Sequence, residues 1–355
     1  MVKTVKSSIF RFVITFISTI CLPGATSAEV QKLEGYSADC VGRFQLSLPG
    51  PVEIALTKRT SLLSESGANN IAFADGSIAS QASFALERKI DISSDISQDG
   101  FEKLRRDSQV YAEKLKKDLY SRGKKEIADS IQFYEVGVPE AFAWSSVAGV
   151  DIFFKKDDYI YRHNRRGTAS VQQAGREAKE IFESMRFRKQ NEIPLDTGLC
   201  FPYSFLKTDE DSVYTANVVM RLISHPDVQV TFKDMASLEP AQGRVILDQK
   251  SNIKFFLERE SVEYFTEIRY EWVPGQFSIA GLPGRAAFAK VRRSGEQDDF
   301  IFIANVVGAV ANSTSKRVLM LYISRNAARA NPTPISESKF REISIAIAKS
   351  VKPLK

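Results

Sequence analysis

Phe44, Leu46 and Leu48 alternate with Gln45, Ser47 and Pro49, the period-two pattern of a half-buried strand, and Pro49-Gly50-Pro51 stops it. A second extended run carries Ile78, Ala82, Phe84 and Leu86 on one face. The period then turns helical. Phe101, Leu104, Tyr111, Leu115 and Leu119 form an apolar stripe, Asp99 and Glu102 give a capping-box-like start, and Gly123 ends it. Extended segments resume over 130–136, 141–147, 150–154 and 159–162. A helix over about 172–185 then buries Ala178, Ile181, Phe182 and Met185.

The second half repeats this order. Leu199-Cys200-Phe201-Pro202-Tyr203-Ser204-Phe205 opens it, and Tyr214, Ala216, Val218, Met220 and Leu222 face one way along a strand. Residues 228–232, 245–247 and 254–257 read as extended. Over 264–272, Tyr264, Ile268, Tyr270 and Trp272 alternate with Glu267, Arg269 and Glu271. Apolar runs at 300–307 and 318–323 follow. A helix after Pro334 closes the chain, with Ser336 as N-cap and Phe340, Ile343, Ile347 and Val351 as its stripe.

Both halves carry a Gly-x-Pro turn before an Ala-Phe-Ala strand: Gly137-Val138-Pro139 before Ala141-Phe142-Ala143, and Gly281-Leu282-Pro283 before Ala287-Phe288-Ala289. With the matching element order, this predicts an α+β protein of two similar tandem domains, each a mainly antiparallel sheet with packed helices. The apolar pattern lapses near 188–196, which sets the domains at 29–190 and 191–355. Strict βαβ alternation is missing, which argues against a parallel nucleotide-binding sheet.

The first residues stand apart. Lys3, Lys6 and Arg11 precede an apolar run from Phe12 to Leu22, too short to span a bilayer, and small residues lead to a cut after Ala28. Residues 1–28 therefore read as a cleaved signal peptide, and the mature chain as periplasmic, without stable membrane insertion. Cys40 and Cys200 remain of three cysteines. In an oxidising compartment they form either one disulfide or two buried thiols. The formal charge of +6 includes three signal-peptide cations, leaving about +3, too weak a balance to argue for nucleic acid. Arg105-Arg106 and Lys116-Lys117 fall on the solvated face of the first helix.

Chemistry-bearing motifs are sparse. The two histidines, His163 and His225, lack a carboxylate at motif spacing and read as surface residues. There is no Gly-x-Ser-x-Gly, no phosphate-binding glycine loop, no Cys-x-x-Cys and no His-Glu-x-x-His. Asp209-Glu210-Asp211 and Asp298-Asp299 lack the spacing of a calcium loop, and Asp157-Asp158 reads as a hairpin turn. The residues give no metal or cofactor site and no catalytic set.

Cys40-x-Gly42-Arg43-Phe44-x-Leu46-x-Leu48-Pro49 resembles the opening of the immunity proteins that neutralise type VI secretion lipase effectors. Gly198-Leu199-Cys200-Phe201, Val230-Thr231-Phe232-Lys233-Asp234 and the Gly281–Gly284 turn are similar in placement to that family's second domain. The resemblance covers nearly the whole mature chain. It implies a non-enzymatic periplasmic protein, a monomer that forms a one-to-one complex with its cognate secreted lipase. It further implies that two domains clasp the lipase lid region and hold it from the membrane.

Binding surfaces favour loops on a rigid scaffold, so the candidate contacts are Asp157, Asp158, Arg165 and Arg166 in the first half and Glu296, Gln297, Asp298 and Asp299 in the second. Two rival readings stay open: a periplasmic lipid- or peptide-binding module, and a secreted enzyme of unfamiliar type.

Overall fold

The computed structural model describes residues 35–62, 71–79, 81–86, 88–93, 97–137, 140–146, 149–166, 171–209, 212–237, 253, 267–292, 297–309, 316–329 and 333–354. The signal-peptide segment, the extended runs expected at 245–247 and 254–257, and Val138-Pro139 lie outside them. No helix among the described residues is long and apolar enough to cross a membrane.

The chain opens with strands β1 (Tyr36–Val41), β2 (Phe44–Pro49), β3 (Val52–Ile54), β4 (Leu56–Thr57), β5 (Ile71–Ala72), β6 (Ser83–Leu86) and β7 (Arg88–Ser93). Helices α1 (Gln98–Ser121) and α2 (Lys125–Asp129) follow, then β8 (Gln132–Tyr134), β9 (Ala141–Ser146), β10 (Gly149–Lys156) and β11 (Tyr159–Arg166). Next come α3 (Val171–Ser184), β12 (Met185–Phe187), β13 (Gly198–Phe201), β14 (Ser204–Lys207), β15 (Tyr214–Leu222) and β16 (Val228–Ser237). The last elements are β17 (Glu267–Trp272), β18 (Phe277–Ile279), β19 (Leu282–Arg292), β20 (Asp299–Ala309), β21 (Lys316–Arg325), α4 (Glu337–Ser350) and β22 (Lys352–Pro353). The fold is α+β and its ladders are antiparallel, as the pattern implied.

One sheet dominates, in the order β17-β19-β20-β21-β16-β15-β6-β7-β11-β10-β9-β8. Two small sheets, β1-β2-β22 and β12-β14-β13, sit beside it. The strand expected at Phe44–Pro49 is the second arm of a hairpin. Gly42-Arg43 turns the chain, and β1 precedes it with weaker alternation. Phe44, Leu46 and Leu48 point into the core as expected. So do Tyr214, Ala216, Val218, Met220 and Leu222 of β15.

Helix α1 is capped by Ser97, whose hydroxyl accepts the Gly100 N–H at 3.2 Å; Asp99 sits in the first turn and is not the cap. Its Phe101 and Leu104 cover Phe142, Trp144, Phe153 and Ile160 on one face of the first-half sheet. Phe182 of α3 meets Phe154 edge-on across the opposite face. Because helices cover both faces, β9 and β10 are nearly continuous buried runs instead of clean alternations. The same double cover corrects the expectation for His163, which is 3% exposed on β11, paired with Ile90 and Ile152. Helix α4 matches its reading: Ser336 accepts the Lys339 N–H, and Phe340, Ile343 and Ile347 are buried. Each contributes roughly 1.5–3 kcal/mol of burial.

Cys40 and Cys200 are joined in a disulfide. Beside it, Gly42 and Cys200 exchange two backbone hydrogen bonds of 2.8 Å. Arg188, fully buried, pairs with Asp39 at 2.6 Å and donates to the carbonyls of Cys40 and Phe201. Gly42 has φ +58, and a Cβ there would lie 2.3 Å from Asp234 Oδ2. Asp234, itself 0% exposed, accepts the Arg43 N–H at 2.8 Å and the Tyr214 hydroxyl at 2.6 Å. Thus the two sequence motifs of the resemblance, around Gly42-Arg43 and around Asp234, meet in space.

Two outcomes follow from this junction. Replacing Cys40 and Cys200 by serine should lower unfolding stability by roughly 2–5 kcal/mol, read as a fall in the urea midpoint. An unchanged midpoint would show the loop constraint to be idle. Gly42→Ala should cost at least about 2 kcal/mol through strain and collision with Asp234, and Asp234→Gly in the same chain should relieve the collision part of that loss.

Candidate functional site

Asp157 and Asp158 form the two-residue tip of the β10–β11 hairpin, where Lys156 pairs with Tyr159 and Asp157 takes φ +52. The turn reading of the sequence holds. Arg165 and Arg166 lie at the far end of the same strand, opposite Val150 and Gly149. A strand rises about 3.3 Å per residue, so the acidic tip and the arginines stand roughly 20–25 Å apart and do not form one cluster.

Glu296 lies outside the described residues, and Gln297 is exposed just before β20. Asp298 is held by Lys290 Nζ at 2.8 Å and by Arg292 Nε at 3.4 Å. The hydrogen bond from Lys290 holds its carboxyl below the usual carboxylate range. Asp299 is buried, and its Oδ1 accepts the Ala327 N–H at 2.7 Å, so it fastens the turn after β21 and is not presented as a contact.

A second surface, not singled out from sequence, centres on Arg221 of β15. Its Nη2 meets Glu53 Oε2 and its Nη1 meets Asp75 Oδ2, each at 2.6 Å, while the guanidinium lies 4.4 Å over the Phe73 ring. Glu53, Asp75, Arg221, Leu222, Ile223, Pro226 and Arg329 line a surface cavity of about 410 Å³. Ile223, in the β15–β16 turn, is 59% exposed. A large aliphatic side chain beside a fully braced arginine presents apolar area on a rigid base, the kind of anchor that interfaces use. The available signal was an isoleucine placed in an otherwise polar turn, Ile223-Ser224-His225-Pro226. The arginine's partners come from 146 and 168 residues away and leave no local trace.

Among the described residues no group of three or more His, Cys, Asp or Glu side chains is arranged to hold a metal. Two networks of buried polar groups brace the fold. Asp151, Arg162 and Asp91 form one network beneath α1, and Asp234, Tyr214 and Arg317 another. Burial pushes the Asp234 carboxyl up, and the Arg317 guanidinium, 3.4 Å away, opposes that rise.

Residues 192–352 match the family described as Tle cognate immunity protein 4 C-terminal domain. That segment resembles the C-terminal domain of an immunity protein. The likeness noted at Gly198–Phe201 and Val230–Asp234 therefore falls within the matched segment. No curated protein matches the chain. Solved structures extend the fold likeness to the first half. The Tle4–Tli4 complex contains a chain 17% identical, with TM-score 0.58, covering 90% of this chain and 98% of that one. The immunity protein TplEi of the type VI secretion system from Pseudomonas aeruginosa, complexed with "L" peptide, is 18% identical with TM-score 0.56, covering 90% and 99%. At such identities the likeness concerns the fold.

Arg221 and Ser77 hold the Asp75 carboxyl far below the usual carboxylate range, by hydrogen bonds to both. A depressed carboxyl stabilises the fold above its unfolded-state pKa, and the effect is lost as pH falls through the folded value. Asp75→Asn should therefore flatten the acid limb of stability against pH, read from urea midpoints between neutral pH and the acid transition. Parallel acid limbs in the two proteins would reject the Arg221–Asp75 clamp as a stability element.

Proposed function

We propose that this protein is a periplasmic immunity protein that binds and inhibits a cognate type VI secretion lipase effector. The observation that carries the reading is the family match over 192–352, joined to a fold likeness spanning 90% of the chain. The related structures are an immunity protein bound to a peptide and a complex named for an effector and its immunity protein. The protein acts by stoichiometric binding and performs no reaction itself. Its signal peptide delivers it to the compartment where the lipase arrives.

In mechanism, the two halves clasp the lipase at its lid region and keep that lid from the membrane. The lipase then cannot undergo interfacial activation. A clasp of this kind needs a rigid frame and a few desolvated anchors over an area on the order of 1,600 Å². The double-faced sheet and the buried junction supply the frame. Ile223 beside Arg221, and the acidic tip Asp157-Asp158, are the side chains we assign to contact.

Titrating the mature protein into the lipase encoded beside its gene, while following phospholipid hydrolysis, should abolish activity at one-to-one stoichiometry. Ile223→Asp should weaken that inhibition about tenfold or more, with an unchanged urea midpoint. Full hydrolysis with no complex formed would reject the pairing and favour the lipid- or peptide-binding module.

A further inference from the structure

We infer that the chain is a fused pair of repeats related by a pseudo-twofold axis and interlocked by reciprocal exchange of their closing strands. Read outward from the centre of the large sheet, one side runs β6, β7, β11, β10, β9, β8. The other runs β15, β16, β21, β20, β19, β17. The two lists place corresponding strands in the same order. At the centre, β6 pairs with β15 antiparallel, Ser83 with Asn217 and Leu86 with Tyr214, the direction that a twofold between equivalent strands requires.

The opening hairpins obey the same relation. Val41 pairs with Phe44 across Gly42-Arg43, and Phe201 pairs with Ser204 across Pro202-Tyr203. Cys40 and Cys200 are therefore equivalent positions, each two residues before its turn. They are bonded to each other, which places the disulfide on the axis.

The closing strands are exchanged. Strand β12, after α3, pairs with β14 in the second hairpin; β22, after α4, pairs with β2 in the first. The registers correspond: Phe187 with Ser204 and Arg186 with Phe205 in one, Pro353 with Phe44 and Lys352 with Gln45 in the other. The next backbone bond corresponds too. Arg188 N–H donates to the Tyr203 carbonyl at 3.2 Å, and Leu354 N–H to the Arg43 carbonyl at 2.8 Å. Each hairpin is completed by the other repeat, so the repeats cannot part without both closing strands leaving their ladders.

The Ala-Phe-Ala likeness is not part of this symmetry. Phe142 packs under α1, whereas Phe288 joins the core that α4 covers, the opposite face in the corresponding repeat. The inference is independent of the partner's identity.

Hydrogen exchange on the oxidised full chain tests it. Removing Lys352–Lys355 should speed exchange of the β2 amides at least tenfold and leave β14 unchanged. Arg186→Pro should do the reverse. Unchanged β2 amides in the first variant, or faster β2 amides in the second, would overturn the exchange. A protease site inserted between Leu195 and Asp196, a point where Leu195 is 86% exposed, gives a second measurement. After cleavage and reduction, a single particle at the original elution volume supports the interlock. Two separately folded halves would refute it.

Discussion

The Asp234 carboxylate is withdrawn from water at the point where the opening hairpin meets the second-half sheet. An ionised group in such a place costs several kcal/mol unless its oxygens are met. The backbone N–H of Arg43 and the Tyr214 hydroxyl both donate to Oδ2, and the Arg317 guanidinium faces Oδ1 as an ion pair at 3.4 Å. Only a chain without a side chain at position 42 can approach closely enough to supply that N–H. The buried Arg188–Asp39 pair stands beside it and fixes the segment leading into β13 to the same hairpin. Shape and charge at this junction are mutually dependent: the glycine is needed by the carboxylate, and the carboxylate gives the corner its seat.

The disulfide acts on the same corner from the covalent side. With its cysteines 160 positions apart, it constrains a large part of the unfolded ensemble while adding little to the folded contacts. Around the junction the sheet continues from one half into the other through β6 and β15, and helices cover both faces of its first half. Among the described residues, Arg221 and Ile223 pair a braced side chain with apolar exposure. Groups held in place before a partner arrives favour binding, since ordering them on binding weakens a complex.

The sequence by itself determined the elements whose burial follows a simple period. The stripe of α4, the inward faces of β2 and β15, and the hairpin turn at Asp157-Asp158 were legible because each depends on neighbours within a few residues. The family likeness was legible for a related reason: Gly42, Arg43 and Asp234 sit in the short strings that carry the resemblance, although nothing local says that they touch. Burial of His163 was not legible. Its sheet is covered on one face by α1 and on the other by α3, and a strand buried on both faces loses the alternation that marks an inside and an outside. Asp299 read as a turn carboxylate for a different reason: the backbone it satisfies lies 28 residues on. Tertiary structure alone decided that β22 closes the first hairpin and where the braced arginine stands, because those contacts join residues more than a hundred positions apart and are selected by packing and by pairing of charge, neither of which has a period.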